Sequence, residues 1–102
     1  MNNPQRAPDP FPVKYRFNID AKSKTHEHFY MTGDSVFVYV DTNQAAINIR
    51  LVGITSKIIE SGERHTFRFN KVKQSIRVEI TKMDDPKYDT TSGFCSYAPK
   101  DD

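Results

Sequence analysis

Apolar and polar residues alternate with a period of two from position 13 onward. Val13, Tyr15, Phe17 and Ile19 fall on one side, with Lys14, Arg16, Asn18 and Asp20 on the other. This is the pattern of a strand with one wet face. The polar "AKSKTHE" reads as a loop, followed by a short apolar "HFYM" and a turn at Thr32-Gly33-Asp34. "SVFVYVD" is apolar at both parities, Val36, Val38 and Val40 against Phe37 and Tyr39, which predicts a central strand covered on both sides. "AAINIRLV" alternates again, "ITSKIIE" follows the break at Gly53, "SGER" turns into "HTFRFN", and "SIRVEITK" closes the series. Short strands at such turn spacings predict an all-β, antiparallel β-sandwich or jelly-roll barrel of seven to eight strands, with an immunoglobulin-like sandwich as the alternative topology. No segment carries a helical stripe.

The pattern also divides the chain. Residues 1–12 hold four of the six prolines and no periodicity, so they read as a flexible Pro-rich arm. Residues 13–82 form the β-domain. Residues 83–102 are expected to be an acidic, partly ordered tail, with "GFCSYA" as an edge strand or packing hook. The predicted core comprises Tyr15, Phe17, Val36, Val38, Val40, Ile47, Ile49, Leu51, Ile58, Phe67, Phe69, Ile76, Val78 and Ile80. Burying each at about 1.5 to 3 kcal/mol stabilises the fold without a metal or disulfide.

A length of 102 residues bounds the chain to one domain, and 36% hydrophobic with 27% charged residues is globular composition. No window approaches a membrane span and no secretory signal is visible. The lone Cys95 cannot form an internal bridge, so a cytoplasmic location is expected, a mature secreted form being the alternative. Charge is segregated. Arg50 to Lys82 carries eight basic residues against three acidic ones, whereas the segment after Lys82 has five aspartates against two lysines. Arg64, Arg68, Arg77 and the Lys71-x-Lys73 turn could therefore line one basic sheet face, although the phenylalanines of "HTFRFN" share the core side and offer no stacking platform there.

The common nucleophile, nucleotide and zinc signatures are absent. Cys95 reads as a small, partly buried apolar residue, because a reactive thiol needs a neighbour that lowers its pKa. Histidine is more informative. His26 and His28 stand two apart and share one side of an extended chain, so with His65 they could form a three-histidine metal site with an open position.

"EHFYMTGDSVFVYVD", followed by "KIIESGERHTFRFN" and "IRVEI", resembles the two-motif layout of small single-domain cupins over residues 27–80. Gly62-Glu63-Arg64-His65 matches the second motif, and Glu27, Phe29, Tyr30 and Gly33 approximate the first. The resemblance implies a jelly-roll shell and a metal held by Glu27 and His65. The His-x-His of metal-binding members is replaced here by Asp20, Lys22 and Lys24. The two metal arrangements exclude each other: if Glu27 faces inward with Phe29 and Met31, alternation turns His26 and His28 outward.

These readings favour a non-enzymatic binding module that holds a protein or small ligand on a sheet face, a strand edge or the barrel mouth. Its candidate ligand-binding residues are Glu27, Tyr30, His65, Arg64 and Arg68. No cofactor is expected, with one divalent metal as the alternative. A divergent cupin enzyme acting on a sugar or small acid, with His65 as base or ligand beside Glu27, is the second reading. A nucleic-acid-binding β-domain using the basic face of residues 50–82 is the third. No membrane partner is expected, and edge strands leave homodimerisation by sheet extension open.

Overall fold

The computed structural model describes residues 10–20, 26–70 and 75–99. Most of the N-terminal arm, the Lys22 and Lys24 positions, the Lys71-x-Lys73 turn and residues 100–102 lie outside that description. The described chain is all β. Its strands are β1 (Val13–Ile19), β2 (His26–Met31), β3 (Ser35–Val40), β4 (Ile47–Leu51), β5 (Thr55–Ile59), β6 (Arg64–Arg68), β7 (Ile76–Lys82) and β8 (Thr91–Tyr97). No helix among the described residues is long and apolar enough to cross a membrane.

Pairing follows a simple rule. β1 pairs with β8, β2 with β7, β3 with β6 and β4 with β5, all antiparallel, so the chain is one long ribbon folded back at the β4–β5 turn. Further pairing of β3 with β8 and β4 with β7 winds the ribbon into two four-stranded sheets, β1-β8-β3-β6 and β2-β7-β4-β5. The immunoglobulin-like alternative groups strands as ABED against CFG, which is not this order. At the ribbon's tip Gly53 takes φ 84°, a conformation side chains resist, and Ile54 N–H donates to the Leu51 carbonyl at 2.8 Å to close the turn.

The inner faces of the two sheets supply the core. Phe17, Ile19, Val36, Val38, Val40, Ile47, Ile49, Leu51, Val78 and Ile80 are fully buried, joined by Phe29, Met31, Phe67, Ile76 and Cys95, while Tyr15, Phe69 and Tyr97 pack against them. The expected alternation therefore fixes most of the inward set, but the predicted core leaves out the buried Ile19, Phe29, Met31 and Cys95 and has one position wrong. Ile58 is 49% exposed and Ile59 is buried in its place. In "KIIE" both parities are apolar, and pairing with β4 decides between them by setting Ile59 opposite the buried Ile47 and Ile58 opposite Asn48.

Two further expectations change. The segment assigned to a partly ordered tail provides β8, which is paired on both sides between β1 and β3. Its inner positions Thr91, Gly93 and Cys95 are buried, with the Thr91 hydroxyl donating to the Ala45 carbonyl at 2.7 Å. β3 is central as predicted, yet only its valine face is fully buried, and Phe37 and Tyr39 remain partly exposed on the outside.

Candidate functional site

The two lateral seams of the sandwich differ. Along β1 and β2 the seam is packed: Tyr15 stacks on Phe29 at 4.5 Å between centroids, and Phe29 on Tyr97 at 6.1 Å. Glu27 faces inward at the end of β2, and its Oε2 accepts the Asn18 N–H at 3.0 Å. Burial, and then the neighbouring Glu27 carboxylate, push the Tyr15 phenol above its ordinary pKa. Along β5 and β6 the seam is open, with a cleft of about 630 Å³ between Ile54 to Lys57 and His65 to Arg68.

His65 belongs to that open seam. It lies opposite Val38 on the inner side of β6, is half-buried, and meets Phe67 edge-on at 4.6 Å. Strand alternation alone turns it inward. Glu27 and His65 thus stand on edge strands at opposite ends of the sandwich. Three strand spacings of about 4.8 Å separate such edges, so the two residues cannot share an ion.

The three-histidine arrangement is not formed either. His26 and His28 are exposed on the outer face of β2. No group of three or more His, Cys, Asp or Glu suited to a metal occurs among the described residues. Cys95 is fully buried in the core, and burial pushes its thiol well above the usual thiol range.

Tyr30, Arg64 and Arg68 also separate. Tyr30 is 56% exposed on the outer face of β2, where Arg77 on β7 donates to its hydroxyl at 3.2 Å. Arg77 also donates to Glu79 at 2.8 Å, and Arg50 reaches the same carboxylate at 3.6 Å. The hydrogen bond from Arg77 holds the Glu79 carboxyl below the ordinary carboxylate range. Arg50 and Arg77 on this outer face are thus engaged within the sheet. Arg64 and Arg68 instead project from the outer face of the other sheet, so Arg64, Arg68 and Arg77 do not line one basic face.

The outer face of β1-β8-β3-β6 carries a group of residues not anticipated above. Register places Lys14, Ser96, Phe37 and Thr66 in one row across the four strands, and Arg16, Phe94, Tyr39 and Arg64 in the next. Phe94 lies 5.9 Å from Phe37 and 5.6 Å from Tyr39 between ring centroids, both pairs tilted by 42°. The three rings form a partly exposed shelf on the two central strands. Both edge strands bear cations: Lys14 and Arg16 on β1, Arg64 and Arg68 on β6. Arg16 pairs with Asp41 at 3.0 Å while its side chain stays 64% exposed, and Ser92 fixes the same carboxylate at 2.7 Å. Arg64 and Arg68 have no ion-pair partner among the described residues. Beside Phe37, Ser96 is 2% exposed, and its Oγ has no hydrogen-bond partner among the described residues.

An all-β sandwich with an aromatic and cationic outer face is the class these observations define. The fold is similar to that of a de novo designed double-stranded β-helix solved by solution NMR, with a TM-score of 0.57 and 15% identity over 83% of this chain and 96% of that one. That likeness concerns fold alone. No family model matches the sequence, and no curated protein is significantly similar to it.

Proposed function

We propose that the protein is a non-enzymatic binding module of jelly-roll type whose ligand surface is the outer face of β1-β8-β3-β6. The observation that supports this reading is the aromatic shelf of Phe37, Tyr39 and Phe94 set between two cation-bearing edge strands. Partly exposed aromatic rings cost free energy in water, and they supply rigid contact area to a ligand at little conformational cost. Arg64 and Arg68, which form no ion pair among the described residues, add attraction for anionic groups. The reading needs no cofactor.

Amide shift mapping tests it. Single-stranded oligonucleotides, neutral oligosaccharides and acidic peptides are titrated separately into isotope-labelled protein. The expected outcome is that at least one class perturbs Phe37, Tyr39, Phe94 and Ser96 together. Perturbation confined to the β5–β6 cleft or to the Tyr30 face, by every class that binds, would overturn the assignment.

A further inference from the structure

We infer that the ligand of this face is single-stranded nucleic acid, with bases stacked on the aromatic shelf and phosphates held by the edge cations. The inference rests on the proposed binding face and names its occupant. Two features favour this chemistry. The rings occupy the two middle strands of a four-stranded sheet, the arrangement by which flat sheets stack two or three unpaired bases. Arg64 and Arg68 stand on one outer strand, and Lys14 with the Asp41-paired Arg16 on the other, three spacings or about 14 Å apart, so a strand crossing the shelf meets basic side chains on both sides. A neutral sugar would gain from the rings and leave those charges unused. An acidic peptide would gain from the charges and has few flat faces for the rings.

A duplex offers the shelf no free base faces, because its bases are already stacked and paired.

Anisotropy of fluorescein-labelled ten-residue oligothymidine and oligouridine, measured with the full chain, tests the inference. The protein should bind both single strands more tightly than a ten-base-pair duplex, and more weakly as salt rises. Tyr39→Leu and Phe94→Leu keep apolar bulk but lose the ring face, and each should weaken binding about five- to hundredfold. Arg64→Ala with Arg68→Ala should flatten the salt dependence by roughly one to two charges. Tyr30→Ala on the other sheet should leave affinity unchanged, and thermal melts confirm that each variant is folded.

No binding of either single strand would overturn the nucleic-acid assignment. The binding face itself would survive that result if a saccharide or peptide shifts Phe37, Tyr39 and Phe94. Single-strand binding that Tyr30→Ala abolishes and Tyr39→Leu leaves intact would overturn the face and the inference together. Equal affinity for duplex, or binding indifferent to salt, would overturn the stacking-and-phosphate chemistry.

Discussion

The outer faces of the two sheets use similar residues to opposite ends. On β2-β7-β4-β5, Arg77 and Arg50 converge on Glu79, and Arg77 also reaches Tyr30, lying 5.9 Å from the centre of its ring. On β1-β8-β3-β6, Arg64 and Arg68 flank the partly exposed rings without forming an ion pair among the described residues, and a serine hydroxyl is buried without a partner. The first face satisfies its own arginines. The second pairs Arg16 with Asp41 but leaves Arg64 and Arg68 outside any ion pair among the described residues, beside three partly exposed rings.

The largest way to break the comparison is to collapse the layer both faces share. A methyl group at Gly93, on the inner side of β8, would run into the Tyr39 carbonyl and approach the Phe17 ring to 2.6 Å. Gly93→Ala should therefore cost about 3 kcal/mol or more, seen as a lowered denaturant midpoint, and it should disturb the backbone under both aromatic rows. A cost below that of an ordinary surface substitution would mean that β8 is not held as tightly as described.

Ser96→Ala sharpens the contrast in the opposite direction. Removing a hydroxyl that is buried without a partner among the described residues should raise stability by about 1 kcal/mol in chemical denaturation. A loss of stability would show that the hydroxyl already has a partner.

A smaller effect distinguishes the self-satisfied face. The Glu79 carboxyl is held below its ordinary pKa first by the hydrogen bond from Arg77. A group depressed in the folded state stabilises the protein above the unfolded carboxylate pKa, and that contribution fades as pH falls through the folded value. Glu79→Gln should melt slightly below the parent at neutral pH, and the gap should close on acidification. The exposure of the network keeps the effect modest. A gap that widens in acid would contradict the charge assignment.

The smallest effect is expected where no ion pair exists among the described residues. Arg64→Ala and Arg68→Ala should leave the melting temperature unchanged at low and high salt, in contrast to Glu79→Gln. A clear loss on removing either arginine would reveal a stabilising contact and place it in the structure's own electrostatics.

Much of this fold was legible in the sequence because strand alternation reports directly on a one-sided core. Val13 to Ile19, Ile47 to Leu51 and Ile76 to Ile80 show it most clearly. Elsewhere the signal is ambiguous for physical reasons. Ile58 and Ile59 are both apolar, so only partner register separates them. β3 is apolar at both parities, which is equally the pattern of a fully covered strand and of one that displays rings to solvent.

The site was less legible than the fold. Phe94 lies among serines, glycine and cysteine in a segment that reads as a tail, and only pairing of β8 between β1 and β3 brings it to Phe37 and Tyr39. The odd parity of Phe94 against Cys95 was the available signal. His65 points inward as alternation requires, but it does not meet Glu27, because which edge strands face each other is a property of topology that sequence motifs do not encode.

Photocrosslinking tests the central claim most directly. A single strand carrying 4-thiouridine is irradiated with the intact protein, and the modified residue is located by mass spectrometry. Crosslinks at Phe37, Tyr39 or Phe94 are the predicted result. Crosslinks confined to Tyr30, or to His65 and Phe67 in the open cleft, would contradict the account.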